Sequence, residues 1–426
     1  MLVSRRNFGK LIGASALAWG LGANTRALYA AGKPRVVVIG GGPGGATAAR
    51  YIAKDSKGAI DVVLIEPKSE FTTCFFSNLY VGGYRTLESI THSYAKLESE
   101  FGITHLKQNA SSVDRAAKAV TLADGSVVPY DRLVVAPGIA LKYKSIPGYS
   151  KEASEAMPHA WAAGPQTTLL KTKLEAVPDG GLVVMLAPPN PYRCPPGPYE
   201  RISMFAHVLK AQGKSKCKIV IIDPKDKFSK QAVFIEGWQK HYPGMIEWLG
   251  PDVHGGVKSV DAATNTVVTG LATYKADLVN AIPGQRAGAI ASRAGLTDDK
   301  GWCPINPETM QSKYDPNVHV LGDACIGGDM PKSAFSANSQ AKVAAMQIRA
   351  ALLGTEAFPA KYANTCWSLI ETDDCIKIGA VYAPKDGKIA AGDAFVSKPG
   401  EEAALRKQNA EEAVGWYAGI TADIWG

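Results

Sequence analysis

The sequence predicts an α/β protein with two doubly wound domains and a smaller C-terminal α+β domain. Residues 36–39 and 61–65 are short apolar runs rich in β-branched side chains, which is typical of strands buried in a parallel sheet. A second pair of such runs, residues 182–186 and 218–222, lies in the middle of the chain. Residues 356–426 contain short strands of their own and then a polar helix, which predicts a separate third domain.

A glycine-rich turn follows the first predicted strand. The sequence VVVIGGGPGG contains a G-x-G-x-x-G motif at Gly40, Gly42 and Gly45. In this motif one glycine makes the tight turn, one lets the backbone approach a pyrophosphate, and one lets the next helix pack closely on the strand. The helix that follows supplies N–H groups for phosphate. Glu66 ends the second strand 21 residues after Gly45, where a carboxylate accepts hydrogen bonds from a ribose. The combination predicts a Rossmann-like dinucleotide site.

The composition is that of an ordinary globular protein. The chain has 426 residues, 46% of them hydrophobic and 20% charged, which is sufficient for two or three domains with substantial cores. The formal net charge is +8, but four of the positive charges, on Arg5, Arg6, Lys10 and Arg26, lie in a segment that we expect to be removed. Subtracting these four leaves +4, which gives no indication of nucleic-acid binding.

Residues 1–30 have the pattern of a cleaved twin-arginine export signal. The sequence SRRNFGK precedes the apolar run LIGASALAWGLGA and then small residues up to Ala30 and Ala31. A membrane anchor is the alternative, but the run is too short to span a bilayer and no later run of about twenty apolar residues replaces it. We therefore expect a periplasmic protein, exported in folded form and without a transmembrane segment.

An aromatic loop around Cys74 follows the second strand, with the sequence FTTCFFSN at residues 71–78. Loops at the carboxyl ends of strands in a doubly wound sheet face the bound cofactor. Cys74 could therefore lie beside the reactive ring of that cofactor. The alternative is a small buried apolar residue, which is the usual role of a free cysteine.

Two later segments resemble the second and third fingerprints of two-dinucleotide flavoproteins, whose domains are of the glutathione-reductase type. Residues 119–138 contain a hairpin signal, ADG, then a strand and a Pro-Gly turn. Residues 318–324, VHVLGDA, form an apolar strand that ends in Gly-Asp. The resemblance implies FAD rather than NAD at the first site, with Asp323 binding its ribitol. It also implies an FAD-binding domain in two parts, residues 31–149 and 286–355.

The insertion between these two parts, residues 150–285, departs from the usual pattern of a second Rossmann domain. The turn after its first strand reads APPNPYRCPPGPYE, with five prolines from Pro188 to Pro196. A nicotinamide enzyme needs glycines at this position, because they let the backbone approach pyrophosphate. We therefore expect a degenerate domain without an NAD site, in which Cys194 occupies the position of the phosphate turn.

Lys332 precedes an Ala-rich predicted helix, SANSQAKVAAMQIRAALL. The N-terminal end of a helix aimed at the flavin pyrimidine would stabilise the negative charge of the reduced ring, with Lys332 assisting. A capped helix of the core is the alternative, and both interpretations can hold together.

The chain as a whole resembles the flavoprotein subunits of flavocytochrome c sulfide dehydrogenases, which are relatives of sulfide:quinone reductases. The resemblance covers essentially the whole mature chain, and its most specific motifs are TTCFFSN, YRCPPGPYER, GDACIGGDMPKSAFSANSQ and NTCWS. It implies that Cys74 is bonded covalently to FAD and that Cys194 and Cys366 form a redox-active disulfide. It also makes Glu200 a candidate for handling protons near that disulfide.

The remaining cysteines do not indicate a metal site or a haem. The spacing of the seven cysteines offers no C-x-x-C, so neither a zinc nor an iron–sulfur framework is expected. None is followed by x-x-Cys-His, so a haem c must be carried by a partner chain rather than by this one. Four cysteines are interpreted as packing residues: Cys217, Cys303, Cys325 and Cys375.

The predicted function is that of a sulfide dehydrogenase flavoprotein subunit. It would oxidise hydrosulfide to sulfur or polysulfide through the disulfide and FAD, and pass electrons to a c-type cytochrome subunit in a heterodimer. Two alternatives stay open: a sulfide:quinone reductase, and a non-enzymatic flavin electron-transfer subunit with a structural disulfide. The sequence does not distinguish which of Cys194 and Cys366 would carry the persulfide.

Overall fold

The computed structural model describes residues 32–426, so the predicted export signal lies outside the described residues. The first domain is built on a six-stranded sheet with Arg35–Ile39 near its centre. Its strands follow in the spatial order Gln311–Ser312, Asp315–Val320, Arg132–Val135, Arg35–Ile39, Asp61–Ile65 and Thr104–Leu106. All neighbouring pairs are parallel except the first pair. The side chains of Val36, Val37 and Val38 are completely buried, as expected for a strand covered on both faces.

Helices Pro43–Ser56 and Ala334–Leu353 pack against each other in this domain. Its shorter helices are Ser77–Val81, Ala95–Phe101 and Ala289–Arg293. The predicted ADG hairpin is present, since strand Ala119–Leu122 pairs antiparallel with both of its neighbours. The small strands outside the main sheet are Glu70–Thr72, Thr91–Ser93, Ala110–Asp114, Ala119–Leu122 and Val127–Pro129.

The second domain contains a parallel four-stranded sheet, in the order Ile246–Leu249, Lys218–Ile222, Leu182–Leu186 and Leu278–Ala281. Its helices are Pro165–Glu175, Gly197–Ala211, Gln231–His241 and Pro251–His254. A separate antiparallel sheet consists of Val257–Asp261, Thr266–Thr269 and Thr273–Lys275. Strands Ile139–Lys142 and Gly284–Ala287 pair where the chain passes between the first two domains.

The C-terminal domain is an antiparallel sheet covered by a long helix. Its elements are strands Tyr362–Glu371, Asp374–Lys385 and Lys388–Val396, and helix Ala403–Trp425. Strand Tyr362–Glu371 contacts helix Gly197–Ala211 of the second domain and helix Ala334–Leu353 of the first. The structure therefore confirms the predicted α/β fold class, with two Rossmann-like domains and a smaller α+β domain. Among the described helices, none is both long and apolar enough to cross a membrane.

A buried carboxylate, Asp374, joins the C-terminal domain to the second domain. Its Oδ1 atom accepts a hydrogen bond from Nε of Arg406, at 2.7 Å, and its Oδ2 atom lies 2.6 Å from Nε2 of His241. The side chains of Asp374 and Arg406 are each only 8% exposed. Removing one charge of a buried pair leaves the other uncompensated, so the pair matters more to stability than a surface pair does.

We expect Asp374→Asn to lower the free energy of unfolding by about 3 kcal/mol, because the buried Arg406 guanidinium then keeps only the Glu401 carboxylate, at 3.6 Å, and His241 loses its carboxylate partner. Asp373→Asn is the matched control: Asp373 pairs with Lys407 at 3.3 Å, but both side chains are more than half exposed. The control should change stability by less than about 1 kcal/mol. Urea-induced unfolding followed by circular dichroism measures both, and equal losses in the two variants would contradict the assignment.

Candidate active site

A cavity of about 730 Å³ lies at the carboxyl ends of the strands of the first sheet. All three domains contribute to its walls: the glycine turn and the Cys74 loop of the first, the Cys194 loop of the second, and strand Tyr362–Glu371 of the third. Ligand pockets of several hundred Å³ at this position of a doubly wound sheet are typical cofactor sites. Eight of the ten sequence-predicted site residues line the cavity: Gly40, Gly42, Glu66, Cys74, Cys194, Glu200, Asp323 and Cys366.

The three glycines of the motif are needed for different reasons. A Cβ atom at Gly45 would lie 1.8 Å from the carbonyl oxygen of Gly40, and one at Gly40 would lie 2.4 Å from the carbonyl oxygen of Ala136. Gly40 also has a φ of 99°, which favours glycine. A Cβ atom at Gly42 would meet nothing closer than the Phe71 ring, at 3.4 Å. The fold therefore requires Gly40 and Gly45, whereas Gly42 keeps the backbone accessible from the cavity at the start of helix Pro43–Ser56.

Glu66 and Asp323 present carboxylates to the cavity. Oε2 of Glu66 accepts a hydrogen bond from the Gly41 N–H at 3.0 Å, which fixes the side chain beside the glycine turn. Oδ2 of Asp323 lies 3.5 Å from NH1 of Arg193. The other oxygen of Asp323, Oδ1, is buried and has no hydrogen-bond partner within residues 32–426. A buried acceptor without a partner is costly, which indicates that a ligand hydroxyl completes this site.

Cys74 lies in the loop between strand Glu70–Thr72 and helix Ser77–Val81. The Ser77 hydroxyl donates to the Cys74 carbonyl oxygen at 2.6 Å and so fixes the loop. Burial raises the pKa of the Cys74 thiol, and the nearby Arg193 guanidinium opposes part of that rise. The adjacent Phe76 stacks on Tyr417 of the C-terminal helix, with ring centroids 4.3 Å apart. The thiol therefore faces the cavity from a loop that is held on both sides.

Cys194 lies in the proline-rich turn that precedes helix Gly197–Ala211. Its N–H donates to the Lys332 carbonyl oxygen at 2.8 Å, which ties the turn of the second domain to the first domain. Its φ is 58°, in the left-handed region that non-glycine residues rarely adopt. A Cβ atom at Gly197 would lie 2.8 Å from the Cys194 sulfur, so only glycine fits at that position. Local strain of this kind is often found at functional sites.

Cys366 lies on strand Tyr362–Glu371 and lines the same cavity as Cys194. The Nδ2 atom of Asn364 lies 3.5 Å from its sulfur. The described cysteines are all free thiols, so the predicted Cys194–Cys366 bond is not formed in this structure. Burial raises the pKa of both thiols. The fold thus brings two cysteines that are 172 positions apart to one cavity.

Glu200 lies one helical turn after the Cys194 loop. Its Oε1 atom accepts from the Leu369 N–H at 3.0 Å, and its Oε2 atom accepts from Nδ2 of Asn78 at 2.7 Å. Burial raises the pKa of the Glu200 carboxyl group, although these two hydrogen bonds lower it in part. A carboxyl group in such surroundings keeps its proton to a higher pH than an exposed one, which suits a residue that takes up and releases protons.

Lys332, which the sequence places near the flavin, is not among the residues that line the cavity. Its ammonium group donates to the carbonyl oxygens of Asp323 and Cys325, at 2.8 and 2.7 Å, and lies 3.9 Å from the centre of the Trp302 ring. These contacts hold the turn that carries Asp323. The side chain therefore fixes the backbone of this turn, and assistance at the flavin ring stays a prediction. The capped-helix alternative is present, since Ser333 accepts from the Ser336 N–H.

Sequence reasoning missed a polar network behind the two cysteines. Oδ1 of Asn78 accepts from Nε of Arg201 at 2.9 Å, while Nδ2 of Asn78 donates to Glu200. Arg201 is almost fully buried and stacks on Trp161 at 4.8 Å. Lys230 is also buried, and its ammonium donates to Oγ of Ser368 at 2.9 Å. Asn78 and Arg201 belong to the motifs TTCFFSN and YRCPPGPYER, and those motifs could have indicated them as site residues. No motif of the sequence indicates Lys230.

The position where a second Rossmann domain binds a nucleotide ribose is filled by protein side chains. Oδ2 of Asp223, at the end of the second strand, accepts from the Tyr199 hydroxyl at 2.6 Å and from Nε1 of Trp248 at 3.0 Å. Oδ1 lies 2.6 Å from the ammonium of Lys225. The carboxylate is fully buried. It therefore has no capacity left for a ribose, which agrees with the absence of a glycine turn in this domain.

Comparison with known proteins assigns the chain to a family. Residues 167–283 match the family profile described as the central part of the sulfide dehydrogenase [flavocytochrome c] flavoprotein chain, and residues 359–425 match the flavocytochrome c sulphide dehydrogenase flavin-binding profile. A sulfide dehydrogenase [flavocytochrome c] flavoprotein chain of Chlorobaculum thiosulfatiphilum is 55% identical over 47 residues, which is 11% of this chain and 96% of that sequence. The chain belongs to the flavoprotein chains of flavocytochrome c sulfide dehydrogenases. It is an FAD-dependent sulfide oxidoreductase.

The wider similarities agree with this family. Residues 34–170 match the pyridine nucleotide-disulphide oxidoreductase profile. A mitochondrial sulfide:quinone oxidoreductase of Mus musculus is 22% identical over 322 residues, covering 72% of this chain and 69% of that one. The solved structure of the sulfide:quinone oxidoreductase from Aquifex aeolicus superposes with a TM-score of 0.67 at 18% identity, covering 92% of each chain. The residues of the first domain fit FAD, because Asp323 has an unpaired buried oxygen and Gly42 leaves the backbone open.

We expect neither NADH nor NADPH to reduce the flavin. The Asp223 carboxylate already has its hydrogen-bond partners within the protein, and the turn at 188–196 has no glycine that would let a pyrophosphate approach the backbone. The measurement is anaerobic stopped-flow absorbance of the oxidised enzyme with each nucleotide, with dithionite as the positive control. Rapid bleaching by either nucleotide without sulfide would refute the expectation.

The raised pKa of Glu200 leads to an expectation for how the stability of the protein depends on pH. Because its pKa is raised in the folded protein, its contribution to stability is present below the pKa of the unfolded chain and is lost as the pH rises through the folded value. In Glu200→Gln this loss is absent, so wild type should lose stability relative to the variant as the pH rises from about 4.5. Urea unfolding of both proteins at a series of pH values tests it, and parallel pH profiles would contradict it.

Proposed function

We propose that this chain is the sulfide-oxidising subunit of a heterodimer, in which electrons from hydrosulfide pass through a Cys194–Cys366 disulfide and covalent FAD to a c-type cytochrome. One observation carries the proposal: the thiols of Cys74, Cys194 and Cys366 line a single cavity together with the unpaired carboxylate oxygen of Asp323. A structural disulfide has no need to lie in a cofactor cavity.

The chain's own residues account for the chemistry of the disulfide. In the oxidised enzyme, hydrosulfide attacks one sulfur of the Cys194–Cys366 bond, giving a persulfide on that cysteine and a thiolate on the other. Glu200 takes up and releases protons beside the pair. Gly40, Gly42, Gly45, Glu66 and Asp323 would hold FAD against the first sheet. Bound FAD would supply two-electron oxidation of the thiolate and release of electrons one at a time.

The thiol of Cys74 forms the covalent bond to FAD in this proposal. Its support is the orientation of Cys74 toward the cavity from a loop held by Ser77 and Phe76. A covalent bond would retain the cofactor in the periplasm, where FAD is not made. The predicted twin-arginine signal at residues 1–30 is consistent with FAD incorporation before export.

The electron acceptor is a haem c on a partner chain. The support is membership of a family whose name includes flavocytochrome c, together with the lack of a Cys-x-x-Cys-His motif in this sequence. A quinone is the second candidate acceptor, because sulfide:quinone oxidoreductases are similar to most of the chain. Sulfide-dependent reduction of cytochrome c but not of a soluble quinone analogue would favour the first, and the reverse result the second.

We expect Cys74→Ser to release FAD, because serine forms no thioether with the cofactor. After acid precipitation, the wild-type flavin should stay in the protein pellet and that of the variant should appear in the supernatant. Cys217→Ser is the control, since that thiol is buried away from the cavity and its flavin should remain in the pellet. Release of the wild-type flavin by acid would disprove the covalent bond.

We expect Cys194→Ser and Cys366→Ser each to lower sulfide-dependent cytochrome reduction by at least about a hundredfold, because neither variant can form the disulfide that hydrosulfide attacks. Both should keep their flavin and their fold, which flavin absorbance and circular dichroism measure. Cys375→Ser is the control, as a conservative change at another thiol that lines the cavity.

A purely structural bridge gives the opposite pattern. On the chain-entropy model, a bond across so long a loop could stabilise the protein by roughly 5 kcal/mol. If either serine variant melts earlier but keeps near-normal sulfide turnover, the bridge is structural and sulfide must react at the flavin directly.

A further inference from the structure

We propose that the two sulfurs have fixed roles: hydrosulfide adds to Cys194, and Cys366 leaves as the thiolate, which the ammonium group of Lys230 stabilises. This inference rests on the proposed function and deepens it. It makes Lys230 a positioning residue, because it acts through Cys366 and does not itself touch substrate. The argument compares the hydrogen-bond donors and charges that surround each sulfur.

Burial raises the pKa of both thiols, but the hydrogen-bond donors around Cys366 favour a thiolate more than the surroundings of Cys194 do. The Asn364 amide presents Nδ2 to its sulfur at 3.5 Å, and Oδ1 of the same amide accepts from the Ser333 hydroxyl at 2.5 Å. Ser333 is the N-cap of the 20-residue helix Ala334–Leu353, and its hydroxyl is among the groups that lower the pKa of the Cys366 thiol.

Lys230 adds a full positive charge. Its ammonium donates to Oγ of Ser368, and residues 366 and 368 project from the same face of strand Tyr362–Glu371 because side chains alternate along a strand. The lysine is about nine-tenths buried, and the Cys375 thiol and the Glu200 carboxyl lie close enough to raise its pKa. Burial lowers the pKa of Lys230, and the nearby Cys366 thiol is the foremost group that raises it.

Cys194 has no comparable donors, although it precedes a helix. Three of the four residues after it, Pro195, Pro196 and Pro198, have no N–H group. The remaining one, Gly197, donates its N–H to the Cys194 carbonyl oxygen at 2.8 Å. No hydrogen bond reaches the Cys194 sulfur from the described part of the chain. Besides burial, Cys366, Glu200 and Cys74 raise the pKa of this thiol, and the Arg193 charge lowers it.

The other titratable groups near Cys366 do not reverse this order. Glu200 raises the pKa of the Cys366 thiol, but Asn364, Lys230 and Ser333 lower it. Tyr382, from the neighbouring strand, also lies close enough to interact with Cys366 and is neutral at working pH because its own pKa is raised. The hydrogen-bond donors are therefore on the Cys366 side. Lys230 is the cation that acts on Cys366, whereas the cation near Cys194, Arg193, is paired with Asp323.

The chemical step follows from this asymmetry and balances without a further reactant. A lone pair of the hydrosulfide anion attacks the Cys194 sulfur, and the Cys194–Cys366 bond breaks. The products are a Cys194 hydropersulfide, which keeps the proton of hydrosulfide, and a Cys366 thiolate, which carries the negative charge. Thiol–disulfide exchange is faster when the leaving thiol has the lower pKa, so attack at Cys194 is the faster of the two possibilities.

The first experiment identifies the cysteine that receives sulfur. The oxidised holoenzyme is mixed anaerobically with one equivalent of hydrosulfide, trapped with excess iodoacetamide, digested and analysed by mass spectrometry. We expect the alkylated persulfide on the peptide that contains Cys194 and a simple alkylated thiol on the Cys366 peptide. A persulfide on Cys366, or equal amounts on the two, would overturn the proposal.

The second experiment tests Lys230 without turnover. In the reduced holoenzyme, the rate of alkylation at each cysteine is measured against pH by peptide mass spectrometry. We expect Cys366 to react at a lower pH than Cys194, and Lys230→Met to move the Cys366 midpoint upward by about one pH unit or more. Lys230→Arg should restore it. Lys240→Met is the control, because that lysine is 61% exposed and lies in the helix that follows Lys230.

These outcomes separate the inference from the proposed function. If Lys230→Met is folded and retains flavin but leaves the Cys366 midpoint unchanged, the role of Lys230 is refuted even if sulfide is oxidised normally. If sulfide fails to bleach the flavin while the order of the two thiols and the effect of Lys230 are as expected, the proposed function fails and the assignment of the thiols stands.

Discussion

The carboxyl group of Glu200 is the point at which the three domains meet. One of its oxygens accepts from Asn78 in the first domain and the other from the Leu369 N–H in the third, while Glu200 itself belongs to the second. The cavity exists only because these domains are held in this arrangement, since each contributes one wall. A group with a raised pKa thus also links the domains that carry Cys194 and Cys366. In the proposed function, the architecture and the proton chemistry of the site would depend on the same side chain.

The parts of the molecule that sequence predicts well are those determined by local pattern. The strands at 182–186 and 218–222 have the predicted bounds, because β-branched runs between turns have few other structures available. Gly40 and Gly45 were predictable for a similar reason: their close backbone contacts involve residues near in sequence or on the adjacent strand. The FAD assignment and the family follow from motifs of this kind.

The parts that sequence missed depend on contacts between distant residues. The side-chain direction of Lys332 is determined by the carbonyl groups of the preceding turn and by the Trp302 ring, which no local pattern describes. The hydrogen bond between Asn78 and Glu200 joins residues 122 positions apart. Lys230 follows a short loop in the second domain, and its proximity to Ser368 arises only when the C-terminal domain is in place. The local pattern of a single sequence contains no information about contacts between residues so far apart.

The filled ribose position at Asp223 has a consequence for electron flow. The second domain keeps the sheet and helices of a nucleotide-binding unit. The carboxylate that would recognise the nucleotide, however, already accepts hydrogen bonds from Tyr199 and Trp248 and pairs with Lys225. The domain thus serves as a support for the Cys194 loop. If NADH and NADPH fail to reduce the flavin, as we expect, the reduced nicotinamide pool of the surrounding compartment would not set the redox state of the flavin.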